Sequence, residues 1–231
     1  MESSLSEMKV FVVNVDKWMD FVNSIGFAVL GFYLFFLKTN VWWGWIAAFA
    51  CLALSKNLYG KFSRDSYIEQ SELYTKQVLL QLPQEYSLFT NVTALTFSLP
   101  FVVVGPNGVF LIVDRSVNGT IFCDKSAPSW NVHKTGRKGG EYTTTISNPF
   151  KALRWNIQVL SKYLKLEGIN VWIEGCVFFT SQQSSLVSPP PRCFDSQAAL
   201  QTYILEYQPR KPLSPQTVEQ IRVLLKKQNN G

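Results

Sequence analysis

The chain has 231 residues, of which 47% are hydrophobic, 14% aromatic and only 16% charged. This length accommodates one ordinary domain with an appendage, and the composition excludes a disordered chain, which would be poor in core-forming side chains. The four cysteines lie far apart without a CxxC spacing, which argues against a zinc site or a dense disulfide framework and favours a reducing compartment.

The net charge of +6 is carried entirely by the later part of the chain. Residues 1–60 contain four lysines and four acidic residues, so residues 61–231 hold the remaining 18 Lys and Arg against 12 Asp and Glu. A basic surface suits nucleic acid, and it equally suits anionic lipid headgroups. The charge alone therefore does not choose between these partners.

Two apolar runs near the start of the chain predict a transmembrane helical hairpin over residues 18–60. The first run, residues 21–37, contains no charge and approaches the ~20 residues that cross a hydrocarbon core, whereas the second, residues 41–54, is shorter. Three tryptophans cluster beside the break between the runs, as at a headgroup layer, and lysines flank the outer ends. We therefore expect a multi-pass protein in a lipid bilayer, with a segment at residues 1–17 and a domain at residues 61–231 both on the cytoplasmic side.

Two alternatives to a spanning hairpin stay open. The runs could form a buried helical pair inside a soluble protein, or they could insert from one face as a re-entrant hairpin, which would leave the same cytosolic domain. The small residues Gly26, Gly31 and Ala47 would permit close contact between membrane helices. The hairpin could thus itself be the functional part, as an assembly element in the membrane.

Beyond the hairpin, the spacing of apolar residues predicts a helix followed by a block of strands. Residues 64–82 place apolar side chains, among them Ile68 and Leu73, on one stripe of a helix that ends before a proline. Pro100 and the turn at residues 105–108 then divide a strand-rich block. The four strands predicted in this block cover residues 86–92, 94–97, 101–104 and 109–113.

The second half of the domain alternates strands and helices. A strand at residues 119–123 precedes a hairpin of residues 129–133 and 141–145 around a basic, glycine-rich loop. The dipeptide Asn148-Pro149 supplies the start signal of a helix over residues 149–166. This order predicts an α/β domain with a mixed sheet flanked by helices. The last predicted elements are a buried strand at residues 171–179, a helix from Asp195 or Ser196 to Tyr207, and a helix from Ser214-Pro215 onward.

Short motifs follow one another along this predicted domain in a fixed order and spacing. They are Glu72, Leu79–Pro83, Val102–Phe110, Gly119–Ile121, Trp130, Asn148-Pro149 and Leu213-Ser214. Together they resemble the nuclease-related domain (NERD), a branch of the restriction-endonuclease-like superfamily, over about residues 66–227. The resemblance implies a mixed sheet flanked by helices and a metal-dependent nuclease ancestry.

The resemblance also implies a constellation of active-site residues, which this sequence does not keep. The family's chemistry needs acids on adjacent strands to hold Mg²⁺ and a lysine to orient water against a phosphodiester. Pro100 stands where the family has Asp, Val113-Asp114-Arg115 replaces its Glu-x-Lys, and Ala152 replaces its Gln. Glu72 is the active-site residue that remains.

These replacements predict poor Mg²⁺ binding and no confident catalytic residue. Proline and valine side chains have no ligand oxygen, and Arg115 stays protonated, so it can clamp phosphate but cannot act as a base. Asp114 should project away from the ancestral pocket, because adjacent strand residues point to opposite faces, unless a one-residue bulge brings it back. We therefore predict no metal site and no cofactor, unless a migrated nuclease site of Glu72, Asp114 and Arg115 holds Mg²⁺.

Two groups of basic residues are candidates for contact with nucleic acid. The first lies on the glycine-rich loop, for which a solvated hairpin tip is the alternative. The second lies on the helix after Pro149, with Trp155 and Tyr163 interleaved at a spacing that places aromatics in the core or as snorkelling supports. The residues of the two groups are Lys134, Arg137 and Lys138 on the loop, and Lys151 and Arg154 on the helix.

The leading hypothesis is a membrane-anchored, catalytically inactive NERD-like protein that binds nucleic acid or a protein partner at the cytoplasmic face of the membrane. Loss of metal ligands beside a retained scaffold motivates it. The alternatives are a Mg²⁺-dependent nuclease with a migrated active site and a membrane assembly factor that acts through the hairpin.

Overall fold

The computed structural model describes residues 22–23, 25–27, 29–30, 33, 42–136, 139–209 and 211–229. The chain divides into two compact units, Met1–Glu69 and Gln70–Gly231.

The described residues of the first unit are helical. Helix α1 begins in this unit and spans Trp42–Leu80. Most of the first apolar run lies outside the described residues, and the second run falls within α1. No helix in the described part of the chain is both long enough and apolar enough to cross a membrane.

The second unit is a mixed α/β structure with nine strands and the later helices among its described residues. Helix α2 begins at Pro149 because Asn148 caps it, with the Asn148 side chain accepting a hydrogen bond from the Phe150 N–H. The strands are β1 (Ser87–Ala94), β2 (Phe97–Gly105), β3 (Gly108–Arg115), β4 (Gly119–Phe122), β5 (Ser129–Thr135), β6 (Glu141–Ser147), β7 (Ile173–Phe179), β8 (Ser184–Val187) and β9 (Cys193–Phe194). The helices are α2 (Pro149–Leu166), α3 (Gln197–Glu206) and α4 (Pro215–Asn229).

A five-stranded sheet, in the order β1-β2-β3-β7-β9, forms the centre of this unit. Strands β1, β2 and β3 are antiparallel neighbours, whereas β7 runs parallel to both β3 and β9. Strand β7 is buried along its whole length, as expected of a central parallel strand covered on both faces. One face packs against α2 and α4, and the other packs against the end of α1 and against α3.

A second sheet, in the order β6-β5-β4-β8, joins the core on the α2 side. It is also mixed, because β4 pairs antiparallel with β5 and parallel with β8. Its buried face contributes Ile121, Trp130 and Val132 to the core. The prediction of a mixed α/β fold is confirmed, but the single sheet becomes two, because β4 and the β5–β6 hairpin pair with each other and not with β3.

Two predictions about individual elements are wrong. Pro100 does not separate strands but lies within β2, where the register passes from Thr90↔Phe101 to Val92↔Leu99. A proline is tolerated there because Asn91, the residue facing it, has a positive φ of 53° and the ladder is locally interrupted.

The apolar stripe predicted for the first helix is also incorrect in part. Ile68 and Leu73 are exposed, whereas Ser71 and Thr75 are buried together with Val78. The helix therefore presents two hydroxyl groups to the sheet one and two turns before its apolar end. A periodicity argument that scores apolar residues alone does not detect these buried hydroxyl groups.

Candidate functional site

The motif residues that carry the resemblance build the scaffold of the second unit. Asn107 lies in the β2–β3 turn, and its Nδ2 donates to the backbone oxygens of Ile204 at 2.5 Å and of Leu205 and Tyr207 at 3.3 Å each. It thereby caps the C-terminal end of α3, where carbonyl groups lack partners within the helix. The Tyr86 ring packs directly on Gly105, where any side chain would collide with it.

Asn148 has the most complete set of contacts among these motif residues. Its side chain is 2% exposed, and its Nδ2 donates to the backbone oxygen of Ala127 at 2.8 Å and to those of Asp124 and Lys125 at 3.3 Å each. Its Oδ1 accepts from the Phe150 N–H at 2.9 Å. Asn148 thus joins the β4–β5 connection to the start of α2.

The connection that Asn148 holds is itself ordered by Asp124. The Asp124 carboxylate accepts hydrogen bonds from the Ser126 hydroxyl and from the N–H groups of Ser126 and Ala127. The hydroxyl bond is the main reason that the pKa of Asp124 lies below its usual range. Trp130 Nε1 donates to the Asp124 backbone oxygen at 2.6 Å, which ties the motif tryptophan to the same loop.

Gly119 is a motif glycine that the fold requires. It adopts a φ of +113°, and a Cβ at this position would collide with the His133 backbone oxygen across the β4–β5 ladder. We expect Gly119→Ala to lower the free energy of unfolding by about 2 kcal/mol, because both the backbone conformation and the strand spacing are unsuitable for a side chain. Urea denaturation of the variant would measure this loss.

Gly168 provides the matched control for that substitution. It also has a positive φ, of +76°, but no atom lies within 4 Å of the position that a Cβ would occupy. Gly168→Ala should therefore show only the conformational penalty, about 1 kcal/mol. Equal losses in the two variants would mean that the contact with His133 is unimportant.

Strand β3 ends in a small network of hydroxyl groups around Asp114. The Ser71 hydroxyl of α1 donates to Asp114 Oδ2 at 2.6 Å and lies 2.7 Å from Thr180 Oγ1. The Thr180 N–H donates to the Arg115 backbone oxygen at 3.0 Å, which holds the strand ends of β3 and β7 together. Asp114 therefore joins α1 to the end of the central sheet.

The network shows which face of β3 each residue occupies. Val113 belongs to the core on the α2 side, whereas Asp114 contacts α1 on the other face, so the predicted alternation is confirmed. That Asp114 projects away from the ancestral pocket stays a prediction; its partner Ser71 precedes Glu72 on α1, and the Glu72 side chain is exposed. Alternation gives the relative orientation of two neighbours but not the face on which a distant helix packs.

The residues at this location do not fit a catalytic Mg²⁺ ion. Such an ion needs several oxygen ligands, and the described residues contain no group of three or more His, Cys, Asp or Glu side chains that could hold a metal. Asp114 uses one carboxylate oxygen to accept the Ser71 hydroxyl. Pro100 and Ala152, at the positions where the family has polar side chains, are half-buried and offer no ligand.

The predicted basic residues fall into two separate places. Lys134 lies at the tip of the β5–β6 hairpin, and Arg137 and Lys138 lie outside the described residues. Lys151 and Arg154 are exposed on α2, which starts after the opposite end of β6. A seven-residue strand spans about 23 Å, so among the described residues Lys134 does not form one cluster with Lys151 and Arg154.

Helix α2 presents more to solvent than its predicted cations. Trp155 is 53% exposed and packs edge-to-face on Phe97 of β2, with ring centroids 5.7 Å apart. Trp155 is therefore not a core residue, and its role as a support stays a prediction, whereas Tyr163 is buried in the core. Sequence reasoning missed Phe97 because its contact crosses from a strand to a helix far along the chain.

A second polar cluster, around Glu174 of β7, was not predicted. Glu174 is 5% exposed, and its Oε1 accepts from Arg192 and from the Tyr203 hydroxyl at 3.0 Å each. Its Oε2 accepts from Trp172 Nε1 at 2.9 Å and from the Tyr207 hydroxyl at 3.3 Å. Burial, followed by the Glu174 charge, raises the pKa of Tyr203, which keeps its hydroxyl protonated as a donor. A single acid within a long apolar run was the signal that could have pointed to it.

Comparison with protein families supports the resemblance drawn from the motifs. A family model of the nuclease-related domain, NERD, matches residues 68–180, which confirms the resemblance for that region. No curated protein and no solved structure matches the chain. The match indicates a nuclease-related function and stops before α3 and α4.

Proposed function

We propose that this protein binds nucleic acid through the exposed face of α2, without cleaving it, at the cytoplasmic face of a membrane. The observation that carries the proposal is a cationic stripe on α2, formed by two pairs of exposed cations on one side of the helix, beside an exposed aromatic pair. Each part of the proposal has its own support.

The stripe is the most basic surface that a single described element presents. Helix α2 contains two arginine or lysine residues in its first half, two in its second, and no acidic residue. At 3.6 residues per turn these cations and Trp155 lie within roughly 100° of arc, and all of them are exposed. The exposed cations are Lys151, Arg154, Lys162 and Lys165.

The position of the first two cations argues against a purely structural role. Lys151 lies in the first turn of α2, where the helix dipole disfavours positive charge by a few tenths of a kcal/mol, and Arg154 lies in the next turn. Arg154 Nε donates to the Phe150 backbone oxygen of the same helix at 3.2 Å, which leaves its terminal nitrogens directed elsewhere. Cations placed against the dipole are suited to an anionic partner that offsets this cost.

The exposed aromatic pair favours nucleic acid over a simple anion. Trp155 and Phe97 stand beside the cations, and aromatic faces next to positive charge can stack on bases while the cations contact phosphates. The helix extends over about 27 Å, enough to contact several consecutive phosphates.

We propose binding without cleavage because of which motif residues this chain keeps and which it replaces. The retained positions have packing roles, as the contacts of Asn107, Gly119 and Asn148 illustrate. The replaced positions, Pro100, Val113 and Ala152, are those at which the family's chemistry would need ligands or polar groups. A chain that keeps the scaffold and not the chemistry is suited to binding.

The membrane part of the proposal is supported by the sequence. The apolar runs at residues 21–37 and 41–54, the tryptophans between them and the flanking lysines are typical of a hairpin anchor. An anchor of this kind would place the second unit at the cytoplasmic face, where we propose that it meets nucleic acid.

The decisive experiment titrates the full-length protein in detergent micelles with labelled single- and double-stranded DNA and RNA. We expect binding whose logarithmic affinity falls linearly with the logarithm of salt concentration. The double variant Lys151→Glu/Arg154→Glu should weaken binding at least about tenfold and reduce the salt slope by about two, one for each lost phosphate contact. Fluorescence anisotropy measures both quantities.

The matched control reverses the same amount of charge elsewhere. Lys226 and Lys227 are exposed near the end of α4, and Lys226→Glu/Lys227→Glu should change the affinity by less than about threefold through net charge alone. Equal losses in the two double variants would refute the α2 surface. Failure of the wild-type protein to bind any of the four nucleic acids would refute the proposal and direct the search to a protein partner.

One observation favours a second candidate, the metal-dependent nuclease. Asp114 lies on the face covered by α1, the helix that carries Glu72, so the sheet does not separate Asp114 from that helix, and Arg115 follows Asp114 at the exposed end of β3. Repeating the titration with Mg²⁺ or Mn²⁺ and following strand cleavage tests it. Metal-dependent cleavage that Glu72→Ala or Asp114→Ala abolishes would replace binding by catalysis as the function of this domain.

A further inference from the structure

The Glu174 cluster forms part of a cavity that neither the family match nor the proposed α2 surface involves. The cavity has a volume of about 600 Å³ and lies between the start of β7 and the segment that connects α3 to α4. Sites for small molecules typically occupy roughly 300–1,000 Å³, so the space suffices for a ligand of that class. Much of the cavity wall is apolar and is formed by Val171, Pro209, Pro212 and Leu213.

The polar groups at the cavity are already arranged, which distinguishes it from a surface depression. The Glu174 carboxylate accepts from Arg192, Tyr203, Trp172 and Tyr207, two donors on each oxygen. Its charge is therefore compensated by Arg192 and its lone pairs are used. The carboxylate holds the surrounding rings in place and does not call for a cationic ligand.

Trp172 is the feature that points to an aromatic ligand. Its side chain is 71% exposed, yet its Nε1 is fixed to Glu174, so a large ring is held in one orientation while most of its surface stays open. Tyr207 lines the same cavity and is fixed to the same carboxylate. Rings that are immobilised before binding lose little entropy when a planar partner stacks on them.

Lys211 determines which ligand charge the cavity favours. Among the described lining residues, the charged side chains are those of Glu174 and Lys211, and Lys211 is exposed at the cavity. An exposed ammonium group beside a carboxylate that is already neutralised favours a negatively charged substituent. The lining also offers the Asn170 amide and the Ser214 hydroxyl for polar contacts.

We propose that this cavity binds a nucleoside monophosphate, with the base against Trp172 and Tyr207 and the phosphate at Lys211. The choice of a nucleotide among planar anionic ligands rests on the proposed nucleic-acid function. The nucleotide could be free or could be the terminal nucleotide of a strand, and the chemistry recognised is the same.

Calorimetric titration of the full-length protein in detergent micelles tests the proposal. The probes are AMP, GMP, CMP and UMP, the four corresponding nucleosides, inorganic phosphate, and a ten-nucleotide RNA with a terminal phosphate. Trp172→Ala should weaken monophosphate binding at least about tenfold, and Trp172→Phe, which keeps a ring, should weaken it less. Lys211→Met should weaken binding of the monophosphates and leave that of the nucleosides unchanged.

Two variants outside the cavity serve as matched controls. Tyr142→Ala removes an exposed aromatic side chain of β6, and Lys226→Met removes an exposed cation of α4. Neither should change the affinity for a monophosphate by more than about twofold. Thermal unfolding of each variant establishes that Trp172→Ala is folded, and the intermediate affinity of Trp172→Phe provides a second test.

The possible outcomes separate this proposal from the proposed function. Binding of monophosphates that depends on Trp172 supports the cavity, and tighter binding of the phosphorylated RNA end than of free monophosphates identifies a strand terminus as the source. No monophosphate binding, or equal losses in Trp172→Ala and Tyr142→Ala, overturns it. Should the RNA still bind through Lys151 and Arg154 in that case, the α2 surface would stand and the cavity proposal alone would fail.

Discussion

Replacing Arg192 by methionine is expected to lower the free energy of unfolding by about 2–4 kcal/mol. The substitution leaves the Glu174 carboxylate, 5% exposed on a central strand, without its cation. Breaking a fully buried ion pair from one side typically costs about 3–5 kcal/mol, and the range is lowered here because the Arg192 side chain is 34% exposed and water can screen the pair. Methionine is chosen over glycine because Arg192 has a positive φ of 73°, which glycine would relieve.

A double-variant cycle separates the ion pair from packing around it. Glu174→Gln removes the charge and keeps the shape, so Glu174→Gln/Arg192→Met should lose at least about 1 kcal/mol less than the sum of the two single variants. The surface pair between Arg222 and Glu219, at 3.7 Å, is the control, and Glu219→Gln should cost less than about 0.5 kcal/mol. A loss below about 1 kcal/mol for Arg192→Met would show that water reaches the carboxylate.

The elements that the sequence predicted well are those whose signal is local. The start of α2 at Pro149 follows from Asn148-Pro149, and the buried strand β7 follows from a run that is apolar except for Glu174 and Gly175. Both signals lie within a few residues and need no partner elsewhere in the chain. The β2–β3 hairpin around Asn107 is of the same kind.

The parts that the sequence did not predict depend on contacts between distant residues. The two-residue strand β9 exists because Val177 and Phe178 pair with it, and the β4–β8 pairing likewise joins residues far apart. The Ser71–Asp114 bond joins positions 43 residues apart and shows which face of β3 α1 covers. No periodicity in either segment contains that information.

The candidate sites show the same division. The cations of α2 were identified from their type and spacing. The aromatic pair was not, because Trp155 contacts Phe97 from a distant part of the chain. The Glu174 cluster draws its donors from four different positions between residues 172 and 207, and each donor is ordinary in its own segment. The acid within the apolar run is visible in the sequence, whereas its donors are identified only by the structure.

Replacing Asn148 by alanine is expected to lower the free energy of unfolding by about 3 kcal/mol. About 1 kcal/mol comes from the lost cap of α2, where Oδ1 accepts from the Phe150 N–H. The remainder arises because the backbone oxygens of Asp124, Lys125 and Ala127 lose the hydrogen-bond donor that the buried Asn148 side chain supplies. Urea denaturation followed by circular dichroism measures the loss.

Asn148→Asp and Ser214→Ala separate the two parts of that effect. An aspartate keeps the acceptor for Phe150 but directs a second oxygen at three carbonyls, so its folded-state pKa should rise and the variant should regain stability as the pH falls below that value. Ser214 caps α4 at an exposed position by accepting from the Thr217 N–H at 3.1 Å, and its replacement by alanine should cost only about 1 kcal/mol.

If Asn148→Ala cost no more than Ser214→Ala, the carbonyl contacts would contribute nothing, and the Asn-Pro motif would be a helix start signal alone. The larger loss would instead show that this motif is kept because it joins the second sheet to α2, the helix whose outer face we propose as the nucleic-acid surface.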